Sequence, residues 1–265
     1  MSSAKNIIGP RFFLLKEMVV RDIRSRYAGS SLGILWAVGQ PVLWMFLYTL
    51  VFSLILRVPV DKEFASFAEF LLAGLLPWMA IQEGIARSAS ALTDNAAMVK
   101  KTVFPLETLV LSVVLAAVVN QIIAFAVFAV YVAGVGHLSL PWLLLLVPAL
   151  AVQTLLTFGI GCFAATVTTF LRDTAQVIGI ALTVVFWATP IVYPASLVPA
   201  GHRWLSTVLR INPITHLVEW YRAAFTTHAA PSPSSVLYLA VLSGAVALAG
   251  AALFARARPH FADLM

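Results

Sequence analysis

Charged residues are scarce in this 265-residue sequence. They make up 11% of the chain, whereas hydrophobic residues make up 61%. A soluble domain carries roughly 25% charged residues, so this chain has too little polar surface to face water on all sides. A transmembrane helix needs about 20 mainly apolar residues, and several stretches supply them. The composition therefore excludes a soluble domain and predicts an all-α polytopic membrane protein.

Residues that build metal centres and catalytic sites are also few. Cys162 is the single cysteine, which excludes an internal disulfide and a thiolate metal cluster. The five histidines lie far apart in sequence, without metal-ligand spacing, and the nearest carboxylate pair, Asp61 and Glu63, flanks Lys62. We therefore expect no catalytic residue, no metal site and no cofactor on this chain, and we expect that the protein is not an enzyme.

A phosphate-binding loop is absent from the sequence as well. Such a loop needs glycines that end in Gly-Lys-Ser or Gly-Lys-Thr, so that backbone amides and a lysine hold the phosphates. The close glycine pairs, Gly134/Gly136 and Gly159/Gly161, lie in apolar sequence without a following lysine. If the protein supports active transport, the energy must therefore come from a source outside this chain.

Six apolar stretches are long enough to cross a bilayer. They are approximately Leu32–Leu56, Phe67–Ala86, Leu106–Val135, Leu140–Phe170, Ala175–Tyr193 and Ser235–Ala255. No internal repeat or low-complexity region separates them. We therefore expect residues 1–265 to form a single transmembrane domain with six transmembrane helices.

The distribution of basic residues predicts the orientation of these spans. Most of the 17 lysine and arginine residues fall in segments that share a side with the N-terminus. The exceptions are Arg57, Lys62, Arg203, Arg210 and Arg222. Because basic residues are retained on the cytoplasmic side, we expect both termini of this multi-pass protein in the cytoplasm. This placement of the net positive charge also argues against a nucleic-acid partner.

Residues 1–30 are expected to form a cytoplasmic interface helix that lies on membrane lipid. They lack the uninterrupted apolar run of a cleavable signal peptide. A helix that begins near Pro10 places Phe12 and Tyr27 on one apolar face, and basic residues suit anionic lipid. The basic and interfacial residues of interest are Arg21, Arg24, Arg26 and Tyr27. A plain topogenic charge cluster is the alternative.

Two connections are predicted to be more than linkers. Residues 87–105 form a cytoplasmic loop, in which 93–103 can be a short helix with Thr93 or Asp94 as its N-cap. Residues 194–234 form an outer segment with two short amphipathic or re-entrant helices before the last span, at about 201–210 and 214–225. Asn212 as N-cap and Pro213 at the first helical position predict the start of the second one.

Polar side chains inside the spans are costly and therefore informative. Glu83 and Arg87 are four residues apart, which predicts an ion pair near the inner interface, with a gating contact as the alternative. Asn120, Gln121, Gln153 and Gln176 are expected to bridge helices or to face a polar cavity.

The aromatic residues of the first and fifth spans suit a sugar channel. An aromatic ring holds a sugar by its C–H groups without selecting one hydroxyl pattern, and Trp44 and Tyr48 share one helical face. The alternative for each ring is an interfacial belt. The candidate channel-lining residues are Trp36, Trp44, Tyr48, Phe186 and Trp187.

Four motifs in register resemble a known family. They are the run from Arg21 to Trp36 with Gln40-Pro41, the run 95–107, Arg172-Asp173 followed by 186–194, and Asn212-Pro213 with Tyr221-Arg222. Together they resemble the polysaccharide-export permeases of ABC transporters, which export O-antigen, capsule or teichoic acid. The resemblance covers nearly the whole chain.

The resemblance implies a homodimer in the bacterial inner membrane that pairs with two separate ATP-binding cassette subunits. These subunits would bind ATP and Mg²⁺. The substrate that the resemblance implies is a lipid-linked polysaccharide, above all an O-antigen. It assigns ATPase coupling to residues 87–105, in particular to Asn95, Val99, Lys100, Lys101, Phe104 and Pro105. It assigns an outer gate to residues 194–234, in particular to Trp204, Asn212, Pro213, Trp220, Tyr221 and Arg222.

Three alternatives belong beside this assignment. The first is a permease for capsule or teichoic acid, since these exporters share the motifs. The second is an ATP-independent secondary transporter, which the sequence disfavours because no intramembrane carboxylate relay is visible. The third is a membrane transferase, which needs a carboxylate or histidine pair at a membrane face.

Overall fold

The computed structural model describes residues 2–55, 64, 66–100, 105–195 and 203–264. This part of the chain contains no β-strand, which confirms the all-α class. Its α-helices are α1 (Ser2–Tyr27), α2 (Trp36–Tyr48), α3 (Phe67–Ser90), α4 (Ala96–Val99), α5 (Glu107–Gly134), α6 (Leu146–Phe170), α7 (Thr174–Trp187), α8 (Arg203–Ile211), α9 (Pro213–Arg222) and α10 (Pro233–Phe261).

Several shorter turns extend these helices. A 3₁₀ turn at Gly33–Leu35 precedes α2, and another at Leu140–Leu145 precedes α6. The π-helical segments Thr49–Ile55 and Ala223–Thr227 continue α2 and α9. Among the described residues, three helices are long and apolar enough to cross a membrane: α5, Leu140–Phe170 and α10. Two shorter helices are also apolar, namely Trp36–Phe52 and Thr174–Trp187.

Helix α3 is the common packing partner of the other helices. It contacts α2, α5, α6, α7 and α9, and every residue from Phe67 to Trp78 is buried. The Ser66 hydroxyl caps the helix by accepting a hydrogen bond from the Glu69 amide at 3.2 Å. Gln82 and Ala86 in the second half of α3 are exposed, and Glu83 and Arg87 are half-buried, so the helix leaves the apolar interior near its last turns.

Some predicted boundaries are corrected by the structure. α1 begins at Ser2 rather than near Pro10, and α10 continues past Ala255 to Phe261. The fifth apolar helix ends at Trp187 rather than Tyr193. Because helical geometry is disfavoured for the residue before a proline, Thr189-Pro190 ends the helix. The Tyr193 hydroxyl then donates a hydrogen bond back to the Trp187 carbonyl at 3.0 Å. Leu56, where the first predicted span ends, lies outside the described residues.

The helical bundle has two distinct ends. At one end, which we call the α1 end, a hydrophobic cluster separate from the main core around α3 contains Met18, Leu92, Val99, Leu109 and Phe261. At the opposite α9 end, polar contacts join the helix termini. There, Tyr131 and Ser66 share a hydrogen bond of 3.1 Å, and the Tyr238 hydroxyl donates to the Ile211 carbonyl at 2.5 Å.

The closest helix crossing joins α6 to α10 through two glycines. A Cβ atom on Gly250 would lie 2.1 Å from the Gly159 carbonyl oxygen, and one on Gly159 would lie 2.4 Å from the Val246 carbonyl oxygen. Small residues at such crossings let two backbones approach in the absence of a hydrophobic driving force between membrane helices. Neither position has room for a side chain.

This crossing predicts opposite effects for two alanine substitutions in α10. Gly250→Ala gains helix propensity but forces the two backbones apart, and overpacking of this kind costs about 1–3 kcal/mol. Gly244→Ala is the matched control, because a Cβ atom there meets nothing within 4 Å and only the gain in propensity remains. Thermal unfolding in detergent should show a lower Tm for Gly250→Ala alone. Equal Tm values for the two variants would contradict the crossing.

Candidate functional site

Four charged side chains tie α1 to the last turns of α3. Asp22 pairs with Arg87, with one N–O distance of 2.7 Å, and with Arg26 at 3.4 Å. Glu83 pairs with Arg26 and lies 3.6 Å from Arg87. The predicted pair Glu83–Arg87 is thus present, but it is part of a larger network. Asp22 was missed as a site residue, because its partner Arg87 is 65 positions away in sequence.

The segment 91–100 contacts α1 at the same end. Thr93–Asn95 forms a 3₁₀ turn and α4 follows, which corrects the single helix expected over 93–103. The Arg21 guanidinium donates to the Asn95 side-chain oxygen at 3.0 Å, and the Asn95 amide donates to the Ala91 carbonyl at 2.9 Å. Asn95 therefore fixes the segment on one side to α1 and on the other to the end of α3.

The predicted coupling residues are not all on the surface. Val99 is buried in the cluster at the α1 end, while Lys100 is exposed and Pro105 is half-buried. Lys101, Phe104 and the side chain of Tyr27 lie outside the described residues. Among the described basic residues of α1, Arg21 and Arg24 are exposed and Arg26 is half-buried in the ion-pair network. Among the predicted coupling residues that the structure describes, Lys100 is therefore the exposed one.

The predicted channel aromatics fall into two groups. Trp44 and Tyr48 stack at 5.5 Å, and the contacts continue through Phe52 to Phe67 at the start of α3. These rings pack inside the chain. By contrast, Trp36 is 41% exposed and Trp187 is 61% exposed. Phe186 is half-buried and contacts the rings of Trp78 and Trp187.

Among the predicted outer-gate residues, Asn212 lies where the end of α7 meets the start of α9. Asn212 caps α9 by accepting from the Ile214 amide at 2.9 Å, and Pro213 occupies the first turn, as predicted. The Asn212 amide also donates to the Thr189 hydroxyl at 2.8 Å and to the Ala188 carbonyl at 3.3 Å. One side chain therefore joins the end of α7 to the start of α9.

Helix α9 packs into the body of the bundle. Trp220, Tyr221 and Arg222 are buried, whereas Trp204 on α8 is exposed. The Tyr221 hydroxyl donates to the Gln153 side-chain oxygen at 2.6 Å. Gln153 and Gln121 in turn exchange two amide hydrogen bonds, of 2.6 and 3.1 Å. This buried chain of polar groups links α9 to α6 and α5.

Arg222 is a buried cation without an ion-pair partner among the described residues. Its guanidinium donates to the Phe70 carbonyl at 3.3 Å and to the Ile191 carbonyl at 3.1 Å, and its Cζ atom lies 3.8 Å from the centre of the Phe70 ring. These contacts join α9 to α3 and to the segment after α7. The family resemblance assigns Arg222 to an outer gate, but it could not identify the partner Phe70, which is 152 positions away in sequence.

No group of three or more potential metal ligands occurs among the described residues. The polar groups described above connect helices at the two ends of an apolar bundle.

Comparison with known proteins identifies the family. The model of the ABC-2 type transporter family matches residues 14–226. The chain belongs to this family. The O-antigen export system permease protein RfbA of Myxococcus xanthus is 30% identical over 252 residues, which cover 94% of each chain. The RfbA protein of Klebsiella pneumoniae is 28% identical, with 97% of each chain covered. The polysialic acid transport protein KpsM of Escherichia coli is 25% identical over 91% of this chain and 92% of its own length.

The ion-pair network of this ABC-2 type transporter chain predicts energetic coupling between α1 and α3. Asp22→Ala and Arg87→Ala remove partners of the same contact, so their effects on the free energy of unfolding should be non-additive by about 0.5–3 kcal/mol. Thermal or denaturant unfolding of both single variants and the double variant measures this difference. The matched control cycle combines Arg87→Ala with Arg24→Ala, because Arg24 is an exposed residue of α1, the helix that carries Asp22. The effects of these two substitutions on the free energy of unfolding should be additive. Additivity in the Asp22–Arg87 cycle would contradict the network.

Proposed function

We propose that this chain is the permease subunit of an ATP-driven exporter that moves a lipid-linked polysaccharide, above all an O-antigen, across the bacterial inner membrane. The observation that carries the proposal is the whole-length similarity to two O-antigen export permeases at 28–30% identity. The polysialic acid transport protein is less similar, at 25%, so export of a capsule is the second candidate. Teichoic acid export is a third member of the same class.

Genetic complementation tests this function. Deletion of the gene from its source bacterium should abolish O-antigen at the cell surface, while lipid-linked polymer accumulates at the inner face of the membrane. A plasmid copy of the gene should restore export only when the ATP-binding subunit is also present. Normal surface O-antigen in the deletion strain would overturn the proposal. Export that is restored without the ATP-binding subunit would favour a secondary transporter.

The proposed topology places the α1 end in the cytoplasm and the α9 end outside. Six spans result when the buried helix α3 is added to the three long and two shorter apolar helices. At about 1.5 Å per residue, the 24 residues of α3 extend about 36 Å, which is enough for a bilayer. The basic residues of α1 and Lys100 support this orientation, since they lie at one end of the bundle.

The α1 end is the proposed receiver of the ATPase movement. We assign two copies of this chain to two ATP-binding cassette subunits, which bind ATP and Mg²⁺. A groove of about 410 Å³ runs between α1 and α4, with Glu17, Arg21, Arg24 and Met98 among its lining residues. Force applied at α4 reaches α1 through Asn95–Arg21, and it reaches α3 through Asp22–Arg87.

Charge reversal at the coupling lysines should uncouple ATP hydrolysis from export. Lys100→Glu with Lys101→Glu places two negative charges where docking requires positive ones, so export should fall at least tenfold while membrane insertion is retained. The matched control reverses Arg172 and Arg256, two exposed arginines of the same predicted side. Surface polymer and complex yield are measured together. Export at the wild-type level in the lysine variant would show that these lysines serve only membrane topology.

A channel between two copies is the proposed path of the polymer. Helices α2 and α7 both leave apolar faces uncovered: Val38, Val42 and Phe46 are exposed on α2, and Val177, Ile180, Val184 and Trp187 are exposed on α7. Trp36 and Trp187 have the exposure that a channel wall requires. In this arrangement Trp44, Tyr48 and Phe186 support the wall from behind, and Asn212, Tyr221 and Arg222 hold the outer gate to it.

Substitution of Trp187 distinguishes a sugar-binding ring from a packing residue. Removal of a stacking ring costs about 0.5–1.5 kcal/mol, judged from aromatic pairs. Export should therefore be near normal with Phe, impaired with Leu and lowest with Ala, at equal complex yield. Phe163→Ala is the matched control, because Phe163 is 53% exposed on α6, away from the proposed channel. If Leu supports export as well as Phe does, only side-chain volume matters and the ring binds no sugar.

A further inference from the structure

A cavity of about 580 Å³ lies inside each chain, between α2, α3, α5 and the end of α1. Along α3 it reaches from Arg87 to Leu76, which is about 16 Å at the helical rise. Gln40, Gln82 and Ala86 are exposed residues of its wall, so the cavity is open on one side. This volume lies within the range of small-molecule binding sites, about 300–1,000 Å³.

The walls carry hydrogen-bonding groups that the fold itself does not use. The Asn120 side-chain oxygen is buried, and within the described part of the chain it has no hydrogen-bond partner. The side chains of Gln40 and Gln82 line the same space. A buried oxygen without a partner is unfavourable, and a ligand that donates a hydrogen bond from the cavity would remove that cost.

The neighbouring residue Gln121 shows what a purely structural amide looks like here. Its side chain is fully engaged with Gln153, and Gln153 also accepts from Tyr221. Asn120 and Gln121 are adjacent in α5 and both line the cavity, but the Gln121 amide is paired across helices whereas the Asn120 oxygen is not. This difference in pairing makes Asn120 the ligand-binding candidate of the two.

The charges at the cavity indicate an uncharged ligand. Arg26, Arg87 and Glu83 line it, and Asp22 pairs with both arginines. The two cations are therefore balanced by two anions, which leaves no net positive charge for a phosphate or pyrophosphate. The indole ring of Trp44 forms part of the wall, and its stacking on Tyr48 holds it in place. Amides, a carboxylate, guanidinium groups and an aromatic ring together match a polyhydroxylated ring with one apolar face.

We propose that this cavity binds a neutral sugar unit of the exported polymer, with Asn120 and Gln82 as hydrogen-bonding groups and Trp44 as the stacking surface. The choice of sugar as ligand rests on the proposed function. The site is separate from the exposed faces of Trp36 and Trp187, because α2 presents Trp44 to α3 and α5. It lies at the α1 end, so it would hold the sugar before the polymer reaches the outer gate.

Saturation-transfer NMR on the full chain in lipid nanodiscs, free of sugar detergents, tests this site. The probes are mannose, galactose, glucose, rhamnose and N-acetylglucosamine, with pyrophosphate as the anionic competitor. At least one sugar should show transfer, which should fall at least fivefold in Asn120→Leu and in Trp44→Leu. Pyrophosphate should not displace the sugar. Gln176→Leu, which removes an exposed amide of α7 outside the cavity, is the matched control and should retain transfer.

The stability of Asn120→Leu separates binding from folding. Leucine relieves the unsatisfied oxygen, so the variant should unfold at or above the wild-type temperature although it no longer binds sugar. Absence of transfer from every sugar, or equal transfer in wild type and Asn120→Leu, overturns the proposal. Displacement by pyrophosphate also overturns it, in favour of a lipid phosphate headgroup. A negative binding result concerns the isolated chain and leaves the proposed export function intact. Normal surface O-antigen in the deletion strain would instead overturn the proposed export function without testing sugar binding by the cavity.

Discussion

The complete burial of the first half of α3 is the constraint on which the rest of the structure depends. Because Phe67 to Trp78 are covered on all sides, the helices around α3 must keep their positions relative to it. The same helix carries the ion pairs to α1 at one end and, through the Phe70 carbonyl, the contact to Arg222 at the other. A displacement of α3 therefore changes both ends of the bundle together.

Polar contacts lie where they join elements. The half-buried ion pairs of Asp22, Arg26, Glu83 and Arg87 connect α1 to the last turns of α3. Buried amide and hydroxyl groups in an apolar bundle must find partners, and Gln121, Gln153 and Tyr221 do so across three helices. The Asn120 oxygen is one of several buried polar atoms without a partner among the described residues, and it is the one that lines the cavity.

Much of this organisation could be predicted because hydropathy and capping are local properties. The bounds of α5 and of the helix Leu140–Phe170 follow from the apolar runs, and the start of α9 follows from Asn212-Pro213. The end of α7 was placed six residues too late, because the aromatic run to Tyr193 continues the hydropathy while Thr189-Pro190 ends the helical backbone. The Glu83–Arg87 pair was predictable since both residues lie on one helix.

By itself, the sequence determined the helical class, the apolar stretches, the lack of a nucleotide-binding loop and the family motifs, because each depends on residues close together in the chain. Only the tertiary structure decided that Asp22 reaches Arg87, that Arg222 lies over Phe70 and that Trp44 faces a cavity while Trp187 faces outward. The reason is that a helix presents residues in every direction, and the apolar faces of a membrane helix look alike in sequence. Which face meets a neighbouring helix is settled only by packing against elements distant in the chain.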